Sequence, residues 1–306
     1  MKYKILALSV VGAILGGCGS DNDNSVPPEE AYRNIMAFDP AVMGMKGTFS
    51  CDDGTKGSLE ETNYHGVSEV TELTVLNYPE TCSFAYNATA GAVDVSNGKD
   101  MSKVSYKFPK GLANYDDFVT SSPISTLIEK ELAGQPYSEA AGVQILNDLG
   151  LGDLINNGYA ADAADFLRRT QEIIDNLSSD DASKELASKV LATNAVLSDV
   201  LVVSPDASAT ELSGAAVAIT EEVIKSYPDY PEAPGGDTIY LDLTDDPTLI
   251  ENAVKDPENV GDLPPPKDAE PVPDPDEGTP PPTGGTGGTG GTGGTGGGGN
   301  GGGTGG

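Results

Sequence analysis

Apolar residues follow two different periods along this chain. Between Met45 and Lys110 they tend to alternate; between Ser122 and Lys225 they recur at three- and four-residue steps. In the first region Thr48-Phe49-Ser50-Cys51 reads as a strand, followed by the turn Asp52-Asp53-Gly54. Val70 to Leu76 is rich in β-forming residues, with Val70, Leu73 and Val75 as core candidates. Cys82-Ser83-Phe84-Ala85-Tyr86 and Val104-Ser105-Tyr106-Lys107-Phe108 alternate with period two, so one face of each strand is apolar. Turn clusters at Asn77-Tyr78-Pro79 and Ser96-Asn97-Gly98-Lys99 separate these strands. The pattern predicts a small antiparallel β sandwich over residues 45–118, of immunoglobulin or prealbumin type. The chain has no Trp to pack on a core disulfide as antibody domains do, so the strand order stays open.

The period changes at Ser122-Pro123, where a serine N-cap and a proline at the first helical position start a helix. Ile124, Leu127, Ile128 and Leu132 share one face of it. Ser138 caps a second helix with Val143, Ile145, Leu146 and Leu149 on its apolar side and Gly150 as a stop. Ala160 to Leu177 is amphipathic through Phe166, Leu167, Thr170, Ile173, Ile174 and Leu177. Asp181 to Val202 carries the stripe Leu186, Val190, Leu197 and Leu201, and Thr210 to Lys225 the stripe Leu212, Ala216, Ile219 and Val223. Residues 119–227 are therefore expected to form an Ala-rich bundle of about five helices. The predicted fold class is α+β: a disulfide-stapled sandwich, then a bundle, then an acidic and low-complexity C-terminal region.

The ends differ in kind from this middle. Lys2 and Lys4 precede an apolar run from Ile5 to Leu15, shorter than the about 20 residues of a comfortable membrane span, and Leu15-Gly16-Gly17-Cys18 follows. This leader resembles that of bacterial lipoprotein precursors, and Leu15-Gly16-Gly17-Cys18 resembles their lipobox. The resemblance implies cleavage before Cys18, a diacylglycerol on its thiol and a membrane anchor. Gly19, where inner-membrane lipoproteins often carry Asp, implies the outer membrane. Residues 1–17 are then a signal peptide, and residues 18–44 the lipidated Cys and a flexible tether, polar and acidic from Gly19 to Glu30. Residues 228–256 read as an acidic extended segment with one strand-like run, Thr238 to Leu243, that could pair with the β domain. Residues 257–306 read as a disordered tail, Pro-rich and then a Thr-Gly-Gly repeat, with almost nothing apolar to bury.

Composition narrows the function. The formal charge of −31 disfavours nucleic acid and anionic lipid headgroups as partners. With Cys18 lipidated, two of the three cysteines remain; exported Cys51 and Cys82 are expected to form a disulfide, worth about 3–4 kcal/mol through the loop it closes. Two cysteines without neighbouring His cannot complete a zinc shell.

Catalytic patterns are weak. His65, the single histidine, sits in the turn Asn63-Tyr64-His65-Gly66 and reads as solvated. There is no His-Glu-x-x-His, no Gly-x-Ser-x-Gly elbow and no haem motif. Ser96-Asn97-Gly98-Lys99 has Ser-x-x-Lys spacing, but its Asn-Gly makes it a hairpin turn. Asp52-Asp53-Gly54, the group Asp242, Asp245 and Asp246, and the run Asp21 to Asn24 lack the spacing and distal Glu of a calcium loop. No cofactor, metal site or catalytic residue is assigned.

A second, looser resemblance covers about a tenth of the chain. Val119-Thr120-Ser121-Ser122-Pro123-Ile124-Ser125-Thr126-Leu127-Ile128, then Glu139-Ala140-Ala141 and Leu149-Gly150-Leu151, is similar to a segment of large bacterial surface proteins in which a β module precedes helices. It implies surface use and carries no catalytic site. The expectation is a non-catalytic lipoprotein of the outer membrane or cell surface, acting as a binding or structural module. Its partners are the membrane, through Cys18, and an envelope protein or extracellular ligand met at the junction of the two folded parts. The alternative is a periplasm-facing accessory subunit of a secretion, pilus or export assembly; an enzyme ranks third.

Overall fold

The computed structural model describes residues 32–275, which form one compact unit. Its N-terminal half contains β1 (Arg33–Ala37), β2 (Val42–Met43), β3 (Lys46–Cys51), β4 (Lys56–Leu59), β5 (Val67–Val70), the short helix α1 (Leu73–Asn77), β6 (Cys82–Asn87), β7 (Val93–Asp94), β8 (Tyr106–Phe108) and β9 (Val119–Ser121). An antiparallel sheet runs in the order β4-β3-β6-β8, and a second in the order β5-β1-β9, with β1 antiparallel to β5 and parallel to β9. Alternation sets the inner face. Phe49 and Cys51 of β3 pair in register with Phe84 and Cys82 of β6, all buried. Phe108 of β8 meets Phe84 edge to face at 6.1 Å between ring centroids. The two sheets touch through this core: the hydroxyl of Tyr86, on β6, donates to the carbonyl of Ile35 at 2.8 Å and to Ser68 Oγ at 3.0 Å.

The tether expected over residues 18–44 does not extend that far. β1 sits at the centre of its sheet, and Ile35, Ala37, Phe38 and Val42 are buried. Its partner β9 lies more than eighty residues away in sequence, so no local pattern announces the strand. Cys18 and the rest of the expected leader lie outside the described residues. Val70 to Leu76 also divides: Val70 ends β5 and is buried, Val75 is buried within α1, and Leu73 is exposed instead of joining the core.

The helical half begins where expected. Ser122 caps α2 (Pro123–Leu132), with Ser122 and Ser125 each bonding the other's backbone amide. The helix packs on β8 and β9 as well as on later helices, and Ile124, Leu127 and Ile128 are buried. Next come α3 (Glu139–Asp148), α4 (Asp153–Asn156), α5 (Ala163–Arg168), α6 (Thr170–Ser178), α7 (Lys184–Val203) and α8 (Ala209–Ser226). The amphipathic run Ala160–Leu177 is two helices broken at Arg169, where Asp165 and Glu172 hold the guanidinium between them. α7 is long and apolar enough to cross a membrane by composition alone. Here it is a core helix, packed on α2, α6 and α8. One continuous hydrophobic core runs from Ile35 through Phe84, Ile128 and Val200 to Ile250.

The C-terminal region is more ordered than its composition suggests. β10 (Ile239–Tyr240) precedes α9 (Pro247–Lys255), an amphipathic helix that buries Leu249, Ile250 and Ala253 on α7 and α8. β10 pairs with β11 (Lys267–Asp268), not with the β domain. The Pro-rich stretch then lies as a strap along the hairpin at residues 94–99: Glu270 N donates to Asn97 O and Val272 N to Val95 O, both at 2.9 Å. The expected disorder therefore fails for residues 257–275; the Thr-Gly-Gly repeat lies outside the described residues.

Candidate functional site

The junction of the two halves holds two polar features. The first is an open cleft of about 560 Å³ between the segment entering β8, α2 and the C-terminal end of α7. Val104, Leu201 and Val202 give it apolar walls, and Ser105, Thr126 and Ser198 supply hydroxyls. Three lysines surround it. Lys103 and Lys107 come from the β half, and Lys130 comes from α2, its Nζ donating to the carbonyl of Pro205 at 2.8 Å. Among the described residues Lys103 and Lys107 make no ion pair, although acids outnumber bases 48 to 17 in the chain. Glu129 also lines the cleft; partial burial pushes its carboxyl up, and Lys107 pulls the other way. The edge strand beside the cleft is closed to strand addition, because Lys107 N donates to Thr126 Oγ1 and Lys107 O accepts from Ser125 Oγ.

Behind the cleft lies the second feature, a buried charge network joining the halves. Lys99 Nζ donates to both carboxylate oxygens of Asp199, on α7, at 2.7 and 2.8 Å, and Asp199 also accepts from Leu243 N at 2.8 Å. Burial raises the Asp199 carboxyl above the ordinary range, opposed by Lys99; the Lys99 ammonium is itself raised because Asp199 and Asp39 outweigh its desolvation. Ser198 links this network to the cleft: its Oγ lies 3.1 Å from the Tyr106 hydroxyl, which donates to Asp39 Oδ2 at 2.7 Å. Asp39 is buried, its other oxygen has no hydrogen-bond partner among the described residues, and burial holds its carboxyl well above the usual value. Asp94 accepts from Ser96 N, Ser96 Oγ and Asn97 Nδ2, yet burial pushes it up to about 6.

The residues singled out from sequence fall elsewhere. Cys51 and Cys82 form the disulfide between β3 and β6. His65 is exposed in its turn, with its backbone amide bonded to Asn63 Oδ1. Asp53 closes the β3–β4 turn by accepting from Thr55 N. Asp242 and Asp245 both pair with Lys267. Among the described residues no group of three or more His, Cys, Asp or Glu is placed to hold a metal. Sequence reading found the turn at Ser96–Lys99 but missed that its lysine is buried. Nothing local marks Lys99, because its partner is 100 residues away. The only available hint to the cleft was the pair Lys103 and Lys107 on the polar side of a strand pattern. Compared with known protein families, characterised proteins and solved structures, the chain has no significant match.

Proposed function

We propose that this protein is a non-catalytic lipoprotein, anchored through Cys18 to the outer membrane or cell surface, and that it binds a carboxylate-bearing ligand in the lysine-lined cleft. The β half is, in this reading, a small stapled sandwich and the helical half an Ala-rich bundle. One observation carries the assignment of the cleft. In a chain of formal charge −31, three lysines line one recess of mixed apolar and hydroxyl character, and among the described residues Lys103 and Lys107 make no ion pair while Lys130 bonds a carbonyl. Three lysines against the single carboxylate of Glu129 leave the cleft with an excess of positive charge that attracts an anion at short range, while the acidic remainder of the surface is screened beyond about 8 Å at physiological salt. The leader and the lipobox-like Leu15-Gly16-Gly17-Cys18 support the address.

Hexaglutamate and its neutral hexaglutamine counterpart test the cleft. Binding of the acidic peptide alone, weakened at least tenfold by Lys103→Gln with Lys107→Gln and reduced by salt, is expected. Equal binding of both peptides, or none, refutes the assignment. Protease added to intact cells tests the address: an epitope tag in the C-terminal tail is removed if the protein is a surface module. A tag that survives until the outer membrane is opened places it in the periplasm, as the accessory-subunit alternative requires.

A further inference from the structure

We infer that one end of the β half is a membrane-contact face, seating exposed aromatic side chains in the interface of the bilayer that holds the anchor. Five large apolar side chains, Tyr32, Leu73, Tyr78, Tyr115 and Phe118, are each more than half exposed. Tyr32, Tyr115 and Phe118 lie where the described chain begins, and strand pairing and a loop contact bring the segments of Leu73 and Tyr78 toward the same end. Arg33 organises it: its guanidinium donates to the carbonyls of Asn114, Tyr115 and Asp117 at 2.9–3.1 Å and lies 6.0 Å from the Tyr115 ring centroid. The parallel register Ile35↔Val119 sets Tyr32 and Arg33 alongside the segment that ends in Phe118. On the other side Arg33 pairs with Val70, three residues before Leu73. Gly111 N donates to Glu80 O at 2.9 Å, which brings the Tyr78–Glu80 turn against the start of the same loop. Among the described residues the sixth exposed large apolar side chain, Tyr159, is in the helical half.

This inference rests on the lipid-anchor reading of Cys18. Tyr32 lies 14 positions after that cysteine, so even a fully extended connection spans at most about 50 Å. Tethering at that range raises the local concentration of the face at the bilayer to about the millimolar level, so weak contacts suffice. Tyr and Phe suit the interface because each buries an apolar ring, and Tyr keeps its hydroxyl wet. Exposed Glu72 and Asp116 flank the face and the whole chain is acidic, so the fitting surface is zwitterionic, not anionic.

Because the chain contains no Trp, a single introduced Trp reports its own surroundings. The membrane-extracted protein is reconstituted into phosphatidylcholine vesicles as Tyr115→Trp, Phe118→Trp and, for comparison, Tyr159→Trp. Blue-shifted emission and quenching by brominated lipid are expected for the first two and not the third. Water-like, unquenched emission from the first two in vesicle-bound protein overturns the inference and leaves the anchor standing. Protein that carries no diacylglycerol and does not float with vesicles overturns the anchor reading, and the inference with it. A blue shift that grows with protein concentration in the absence of vesicles assigns the face to self-association and overturns it too.

Discussion

Replacing Lys99 by Met should be among the most damaging single changes to this fold. The Lys99 and Asp199 side chains are only 7% and 2% exposed, and two bonds at 2.7 and 2.8 Å join them. Removing the cation leaves Asp199 buried with one remaining donor, Leu243 N, and takes the nearest positive charge from Asp39 and Asp94. Breaking a buried pair from one side costs about 3–5 kcal/mol, a large part of the roughly 5–15 kcal/mol that stabilises a typical domain. At roughly 2–4 °C per kcal/mol for a unit of this size, Tm falls by roughly 6–20 °C. The assay is urea unfolding followed by circular dichroism at pH 7, run as a cycle with Asp199→Asn and the double variant. Asn at 199 keeps an acceptor for Leu243 N without the charge, so the double variant should recover most of the loss. Salt should change little, because a buried pair is poorly screened. A cost below about 1 kcal/mol for Lys99→Met, the scale of the exposed pair Lys225–Glu222, would refute the reasoning.

Other consequences are open to direct measurement. Replacing Cys51 and Cys82 by Ser opens a 31-residue loop and should cost about 3–4 kcal/mol in urea unfolding. Asp94, pushed up to about 6 by burial from an unfolded value near 4, binds more protons folded than unfolded, so its contribution is full below about pH 4 and is lost as pH rises through about 6. That slope amounts to about 3 kcal/mol and should flatten in Asp94→Asn when urea midpoints are compared across this window. Gly98 has φ of +78°, and a Cβ there would lie 2.6 Å from the Glu270 carbonyl oxygen. Gly98→Ala should therefore loosen the strap, seen as faster hydrogen exchange at Glu270 and Val272 amides, with a cost of about 1–3 kcal/mol.

Much of the fold was legible wherever a pattern is local. The alternation in β3, β6 and β8, the Ser122-Pro123 start of α2 and the stripe of α8 are short-range features, and the structure has them; of the α7 stripe Val190 and Leu197 are buried while Leu186 and Leu201 are half-buried. Legible but overlooked was α9, whose Asp246-Pro247 start and buried Leu249, Ile250 and Ala253 form an ordinary helix pattern inside an acidic stretch. Composition misled there and again in the Pro-rich strap, where backbone bonds to Val95 and Asn97 replace apolar burial as the ordering force.

The sequence by itself determined the order of β and helical regions, the strand faces, the helix starts and the pairing available to Cys51 and Cys82. Each depends on residues a few positions apart, or, for the cysteines, on having few alternatives. Only the tertiary structure decided that β1 joins β9, that both halves share one core, and that Lys99 meets Asp199 beneath the cleft. Those arrangements pair residues about 80 to 100 positions apart. Their free energy comes from burial and desolvation, which a side chain acquires only when distant segments close around it.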